Sequence, residues 1–344
     1  MKVVGLYEYL PIEAQESFLD VIVDTPKASG HDLLVRIQAI SVNPVDTKLR
    51  ASKVTVEETP RILGWDAVGI VTEIGDAVEL FQVGDAVYYA GDVTRPGSYA
   101  EFQLVDEHLV GAKPINLSIE EAAAMPLTLI TAWEALFDRI RINPDADAGK
   151  KLLIINGSGG VGSIATQLAV WAGLEVITTA SRDETITWSK QQGATHVINH
   201  RKPLLPQLKA LDLEGVEYIL CLHNTDAYWD AMQEIILPQG HICSVVELQN
   251  PVSMSLIKDK SVTVSYEFMF TRSKYNTDDK VRQHDILTKA TQLFEKGFLK
   301  TTLNHVLTPI NAATIKEAHR MLESGKSIGK LVVKGFEEND EQAN

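Results

Sequence analysis

The segment Asn156-Gly157-Ser158-Gly159-Gly160-Val161-Gly162 follows the apolar run Leu152-Leu153-Ile154-Ile155 and leads into Ser163-Ile164-Ala165-Thr166-Gln167-Leu168-Ala169. Gly157, Gly159 and Gly162 therefore sit in a G-x-G-x-x-G pattern with a strand before it and a helix after it. Few folds accept such a junction, because the helix must pack back on its own sheet and return to a parallel neighbour. The three glycines permit a tight turn, backbone approach to a diphosphate and close helix–strand packing. The helix directs its first N–H groups and the positive end of its dipole at the anion. In this context the loop, with Ser158, Gly160 and Val161 between its glycines, predicts dinucleotide binding.

Strands are expected at 151–155, 175–179, 196–198, 218–222, 241–245 and 262–268, with helical stretches between several of them. Such alternation implies an α/β fold with a doubly wound parallel sheet. Residues 1–110 read differently. Short β-branched runs at 33–37, 68–71 and 86–89 are separated by Gly-Asp pairs at 75–76, 84–85 and 91–92, the signature of a β-rich domain with positive-φ turns. A helix is expected at 119–124, where Ser118 and Glu121 form a capping-box pattern. Further helices are expected at 285–296 and 313–324, a strand at 330–334, and a frayed polar tail at 337–344.

The end of the second strand selects the dinucleotide, since an acid there holds a ribose hydroxyl and a cation favours a 2′-phosphate. The strand ends Thr178-Thr179-Ala180-Ser181-Arg182. Ser181 can donate to phosphate and Arg182 can clamp it, which favours NADP(H). The alternative assigns the ribose to Asp183 and leaves Arg182 solvated.

Thirty-two basic residues against 46 acidic ones give a formal charge of −14, which argues against nucleic acid or an anionic membrane as partner. No apolar run is long enough to cross a bilayer. The two cysteines, Cys221 and Cys243, argue against a disulfide framework and against any multi-cysteine metal site. A reducing, cytoplasmic setting is the expectation.

Together, residues 156–169, Val83-Gly84-Asp85-Ala86-Val87, Gly97-Ser98-Tyr99-Ala100-Glu101, Leu63-Gly64-Trp65-Asp66-Ala67-Val68-Gly69 and 122–133 resemble the medium-chain dehydrogenase/reductase superfamily over nearly the whole chain. Ser41-Val42-Asn43-Pro44-Val45-Asp46-Thr47 is similar to its quinone oxidoreductase branch, particularly the zinc-type alcohol dehydrogenase-like proteins. The resemblance implies a GroES-like β-rich catalytic domain at 1–124 and 271–344, a Rossmann domain at 125–270, an active site in the cleft between them and a homodimer formed through the strand 262–268.

It also implies a catalytic zinc, which these residues do not suit. Asn43 stands at the position of the first ligand, Trp65 at that of the histidine and Asp66 at that of the following glutamate, whereas zinc selects thiolate, imidazole and carboxylate. The nine histidines show no H-x-x-x-H spacing, so no metal is expected. Without a Lewis acid, a quinone or α,β-unsaturated carbonyl is the better small-molecule substrate, because its conjugation spreads incoming charge onto a remote oxygen. The expected activity is NADP(H)-dependent reduction of such a compound; the alternatives are a zinc-type alcohol dehydrogenase and a non-catalytic NADP(H)-binding sensor.

By the same resemblance, Asn43, Asp46, Trp65 and Thr128 are the candidate catalytic residues, with Thr47 beside them. Asn43 would donate to substrate or ribose and Trp65 would stack on substrate; otherwise Asn43-Pro44 and Asp46 are turn formers and Trp65 fills a core. Thr131, Ser181, Arg182, His200, His223 and Lys330 join the glycine loop as candidate cofactor contacts. Thr185 and His200 replace a Lys and a Tyr common among the quinone reductases.

Overall fold

A computed structural model describes residues 1–336, and the expected polar tail at 337–344 lies outside the described residues. The described residues form two compact units, one built from residues 1–127 and 270–336 and the other from residues 128–269. The expected boundaries at 124/125 and 270/271 differ from these by three residues and by one.

In the first unit a long strand, Asp32–Val42, pairs antiparallel with Ala67–Ile74, Phe102–Asp106 and the late strand Lys330–Lys334. Leu331 lies opposite Val42, and this register brings Lys330 beside Asn43, where the strand gives way to the helix Pro44–Arg50. Asn43 precedes that helix with Pro44 in its first turn, where a missing N–H costs nothing. The Asp46 carboxylate reaches back to accept from the Asn43 N–H at 2.8 Å, half of a capping box. A smaller antiparallel sheet holds Leu19–Ile22, Lys2–Glu8 and Val56–Ile62.

Two of the three Gly-Asp pairs behave as the turn chemistry predicts: Gly84 and Gly91 have φ of 98° and 79°. Gly75 is required for a different reason, since a Cβ there would stand 2.2 Å from the Gly30 carbonyl oxygen.

The second unit is a six-stranded parallel sheet in the order His196–Ile198, Glu175–Thr179, Lys151–Ile155, Val216–Cys221, Ile236–Ser244, Thr263–Tyr266. Numbered along the chain this is 3-2-1-4-5-6, the doubly wound arrangement. Leu153, Ile155, Ile177, Ile219 and Ile242 pack with Trp229 and Met232 into one buried core. The fifth strand starts five residues before the expected 241. Val216 already pairs with Ile236, and the irregularity around Gln239, at φ 63°, is absorbed by a register shift. Cys221 and Cys243 are buried and unpaired, and burial pushes the Cys243 thiol up to about 12. Among the described residues no helix is long and apolar enough to cross a membrane.

Candidate active site

The glycine loop of the second unit joins the strand Lys151–Ile155 to the helix Gly160–Trp171. Asn156 takes a left-handed conformation at φ 72°, and the Thr179 hydroxyl accepts from its N–H at 3.0 Å. A Cβ on Gly157 would stand 2.5 Å from Thr178 Cβ, and one on Gly162 would stand 2.3 Å from the Asn156 carbonyl oxygen. These two glycines let strand and helix touch. Gly159 is the N-cap and offers no side-chain cap, while a Cβ there would meet only the Asn156 amide at 3.1 Å. The helix thus begins with main-chain N–H groups that no side chain covers, the arrangement a diphosphate fits. Behind the loop, Ser163 donates to the Gly159 carbonyl at 2.8 Å and accepts from the Trp188 indole at 2.8 Å, so the turn is braced by the next helix.

Ser181 and Arg182 are half-buried at the end of the second strand. Arg182 pairs with Glu184 at 2.8 Å and is the N-cap of the helix Asp183–Gln191. Thr185, which occupies the Lys position, is buried with its hydroxyl bonded to the Arg182 carbonyl at 2.7 Å. It serves the helix end rather than a phosphate. His200 is half-buried and His223 exposed; burial lowers the His200 pKa, and Arg201 and His223 lower it further. Thr128 and Thr131 are buried in the helix Pro126–Trp133.

In the first unit the expected zinc position is filled by a hydrogen-bonded ion pair. Asn43 and Asp66 are 0% exposed and Lys330 is 4% exposed. The Asn43 amide donates to Asp66 Oδ2 at 2.8 Å and to the Ser41 carbonyl at 3.3 Å. The Lys330 ammonium donates to Asp66 Oδ2 at 3.0 Å, to the Val42 carbonyl at 3.3 Å and to Asn43 Oδ1. The other Asp66 oxygen accepts from the Leu127 N–H at 2.7 Å. Burial raises the Asp66 pKa, opposed chiefly by the charge of Lys330.

These contacts correct two of the sequence expectations. Both amide hydrogens of Asn43 are committed to protein oxygens, so it has none to give a substrate or a ribose. All three protons of Lys330 are likewise committed, which makes it the counter-ion of Asp66 rather than a cofactor contact. Trp65 is corrected as well: it is 0% exposed, its indole donates to the Asp92 carbonyl at 3.0 Å, and it meets Phe270 edge-on at 6.0 Å, so no ring face remains for stacking. An amide, an indole and a carboxylate already neutralised by lysine do not make a zinc site.

Asp46 is also fully buried and acts through neighbours. Its Oδ2 accepts from the Tyr99 hydroxyl at 3.0 Å, and Tyr99 lies 3.1 Å from His319 Nε2. Burial pushes Asp46 up to about 7, against the pull of the Asn43 N–H, Tyr99 and Lys330, and pushes His319 down to about 3. Because the Tyr99 proton is given to Asp46, a neutral His319 facing the tyrosine oxygen is the Nε2–H tautomer. Thr47 spends its hydroxyl on the Pro44 carbonyl at 2.9 Å. Tyr99 was visible within the Gly97–Glu101 motif, but nothing near His319 in the sequence marks it as a partner. The second unit holds another group that spacing did not reveal. Arg139 Nε lies 2.7 Å from Glu267 and its Nη2 3.7 Å from Glu134, and burial with the Glu134 charge pushes Glu267 up to about 9.

Residues 29–115 match the alcohol dehydrogenase GroES-like domain and residues 192–333 match the zinc-binding dehydrogenase domain. A zinc-type alcohol dehydrogenase-like protein of Staphylococcus epidermidis is 46% identical over 335 residues, covering 97% of this chain and 99% of that one. The quinone oxidoreductase of Rattus norvegicus is 34% identical over 342 residues, covering 97% of each. A solved protein of Rhizobium etli CFN 42, described provisionally as a zinc-dependent alcohol dehydrogenase, superposes with a TM-score of 0.94 at 45% identity, over 98% of this chain and 99% of that one.

Proposed function

The chain belongs to the medium-chain dehydrogenase/reductase superfamily of oxidoreductases, and from that premise we propose that it is a zinc-independent NADP(H)-dependent reductase of quinones or α,β-unsaturated carbonyl compounds. The observation that carries this reading is the closed Asn43–Asp66–Lys330 network at the place of the family's catalytic zinc. Those side chains can hold no metal without breaking an ion pair inside the protein.

When bound, a reduced nicotinamide supplies the hydride. The main-chain amides at Gly160, Val161 and Gly162 bind the diphosphate, and the bulk excluded by Gly157 keeps that turn close to the sheet. Ser181 and Arg182 take the 2′-phosphate. The Arg182–Glu184 pair is partly exposed and so worth little, and a phosphate dianion can displace the glutamate. His200 and His223 add polar edges at the ends of their strands. Thr128 and Thr131 are the hydroxyls assigned to the reacting end. Because no Lewis acid polarises the substrate, the chemistry suits acceptors that delocalise their own developing charge.

The test compares NADPH and NADH affinity in the wild type and in Arg182→Ala, followed by turnover with a panel of quinones, enones and simple ketones. A 2′-phosphate contact predicts a selective loss for NADPH of about 1.5–3 kcal/mol, with turnover confined to conjugated acceptors. Equal losses for the two cofactors overturn the Arg182 assignment. Zinc-dependent turnover of simple alcohols overturns the whole reading. Self-association through Thr263–Tyr266, the last strand of its sheet, with Tyr266 and Phe268 exposed, completes the proposal; a monomeric mass by light scattering removes it.

A further inference from the structure

A second polar cluster in the first unit has no part in the arrangement above. His31 immediately precedes the strand Asp32–Val42, and Glu107 and His108 belong to the single turn after Phe102–Asp106. Pairing of Asp32 with Asp106 brings the two stretches together. One ligand atom from each of His31, Glu107 and His108 lies within 4.8 Å of the others, a combination found once among the described residues.

Each side chain is oriented by its neighbours. Glu107 is 1% exposed, and its Oε2 accepts from the N–H groups of Glu79 at 2.9 Å and Leu80 at 2.6 Å. Its Oε1 is left to face His31 Nδ1 at 2.7 Å. His108 Nδ1 is bonded to Asp106 Oδ1 at 2.7 Å, which leaves Nε2 as the ligating nitrogen. A carboxylate behind the imidazole is the usual outer support of a metal-bound histidine. The second oxygen of Asp106 is bound by Lys280 at 2.6 Å, so that ammonium is already paired. The two imidazole rings stand edge to face at 4.9 Å. The His31 side chain is 49% exposed and gives a cation its approach.

We propose that His31, Glu107 and His108 form a binding site for a divalent transition-metal ion, with zinc as the reference ion. Two imidazoles and one carboxylate match the donors zinc selects, and a fourth position stays open to water. Tetrahedral coordination at about 2.0–2.1 Å draws the donors closer together than they now stand, a movement the exposed His31 ring can make by rotation. The ion takes the place of the proton shared by His31 and Glu107 and ties the start of Asp32–Val42 to the turn at 107–109 and to the loop at 79–80. Its role is to clamp the β-rich unit, separate from any reaction chemistry. The sequence gives no hint of it, because His31 and His108 are far apart in the chain and conform to no ligand spacing.

The experiment titrates the metal-stripped full chain with Zn²⁺ against a chromophoric chelator and measures bound metal by elemental analysis after dialysis. One equivalent is expected, with a rise in Tm on loading. His31→Ala and His108→Ala should each weaken binding at least tenfold, Asp106→Asn by about tenfold or more, and His305→Ala, at an exposed histidine elsewhere, not at all. Melting without metal establishes that each variant is folded; His31→Ala carries the test if His108→Ala is not. Wild-type affinity in His31→Ala, an equal loss in His305→Ala, or no zinc retained by the wild type overturns the proposal.

Discussion

Lys330 Nζ lies 3.0 Å from Asp66 Oδ2 with both side chains withdrawn from water. The two residues are joined only by the register of a strand that arrives at the end of the chain. A charge pair in such surroundings returns little net stability, but removing one member leaves the other buried and uncompensated.

Lys330→Met should therefore destabilise the protein by about 3–5 kcal/mol. The double variant Asp66→Asn/Lys330→Met should recover much of that loss, since Asn43, released from the ammonium, can turn its carbonyl toward the new amide. Urea denaturation of the two variants checks this, and a double variant no better than the single one contradicts it.

Asp46 makes a pH prediction. Its folded pKa of about 7 is above its ordinary value of 3.8, so the folded state binds the proton more tightly. Its contribution is fully present below pH 3.8 and is lost as pH rises toward 7. Asp46→Asn removes the dependence while keeping an acceptor for Tyr99. The variant's Tm relative to wild type should improve between pH 5 and pH 8; a constant difference would mean that Asp46 ionises normally.

The glycine loop separates packing from binding. Gly162→Ala sets a Cβ 2.3 Å from a backbone oxygen and should lower Tm and cofactor affinity together. Gly159→Ala meets only a side-chain amide at 3.1 Å, so Tm should change little while NADPH affinity falls at least tenfold. Calorimetric melting and fluorescence titration read the two effects independently.

Arg139 stands between two buried carboxyls. Arg139→Ala should cost about 2 kcal/mol, less than a fully buried pair because the guanidinium is partly exposed. Glu267→Gln should stabilise the protein at pH 7, where folded Glu267, its pKa pushed up from 4.5 to about 9, must hold a proton that the unfolded chain has released. Wild type should lose further stability relative to Glu267→Gln as pH rises to 9, which denaturation at pH 7 and pH 10 measures.

The second unit was legible because its signals are local. A strand, three glycines and a helix lie within about twenty consecutive residues, and the expected strands at 151–155, 175–179 and 196–198 coincide with those observed. The fifth strand was misjudged at its start, where Pro238-Gln239-Gly240 reads as a turn but is carried inside the strand. In the first unit the individual residues at the zinc position could be read, but their contacts could not. Which protons Asn43 and Lys330 have left to give depends on a pairing across 287 positions, and Trp65 could be assigned to the core only once its burial was known. Glu134 with Glu267, and His319 with Tyr99, have the same origin: they are pairs made by topology and carry no motif.

The first unit is assembled from both ends of the chain, whereas the second is a continuous run. On the ribosome the second can therefore close as soon as residue 269 is free of the exit tunnel, while the first must wait for its last strand. Until Lys330 emerges, Asp66 has no counter-charge, and any nascent chain stopped short of that strand carries a half-built sheet and an unneutralised carboxylate.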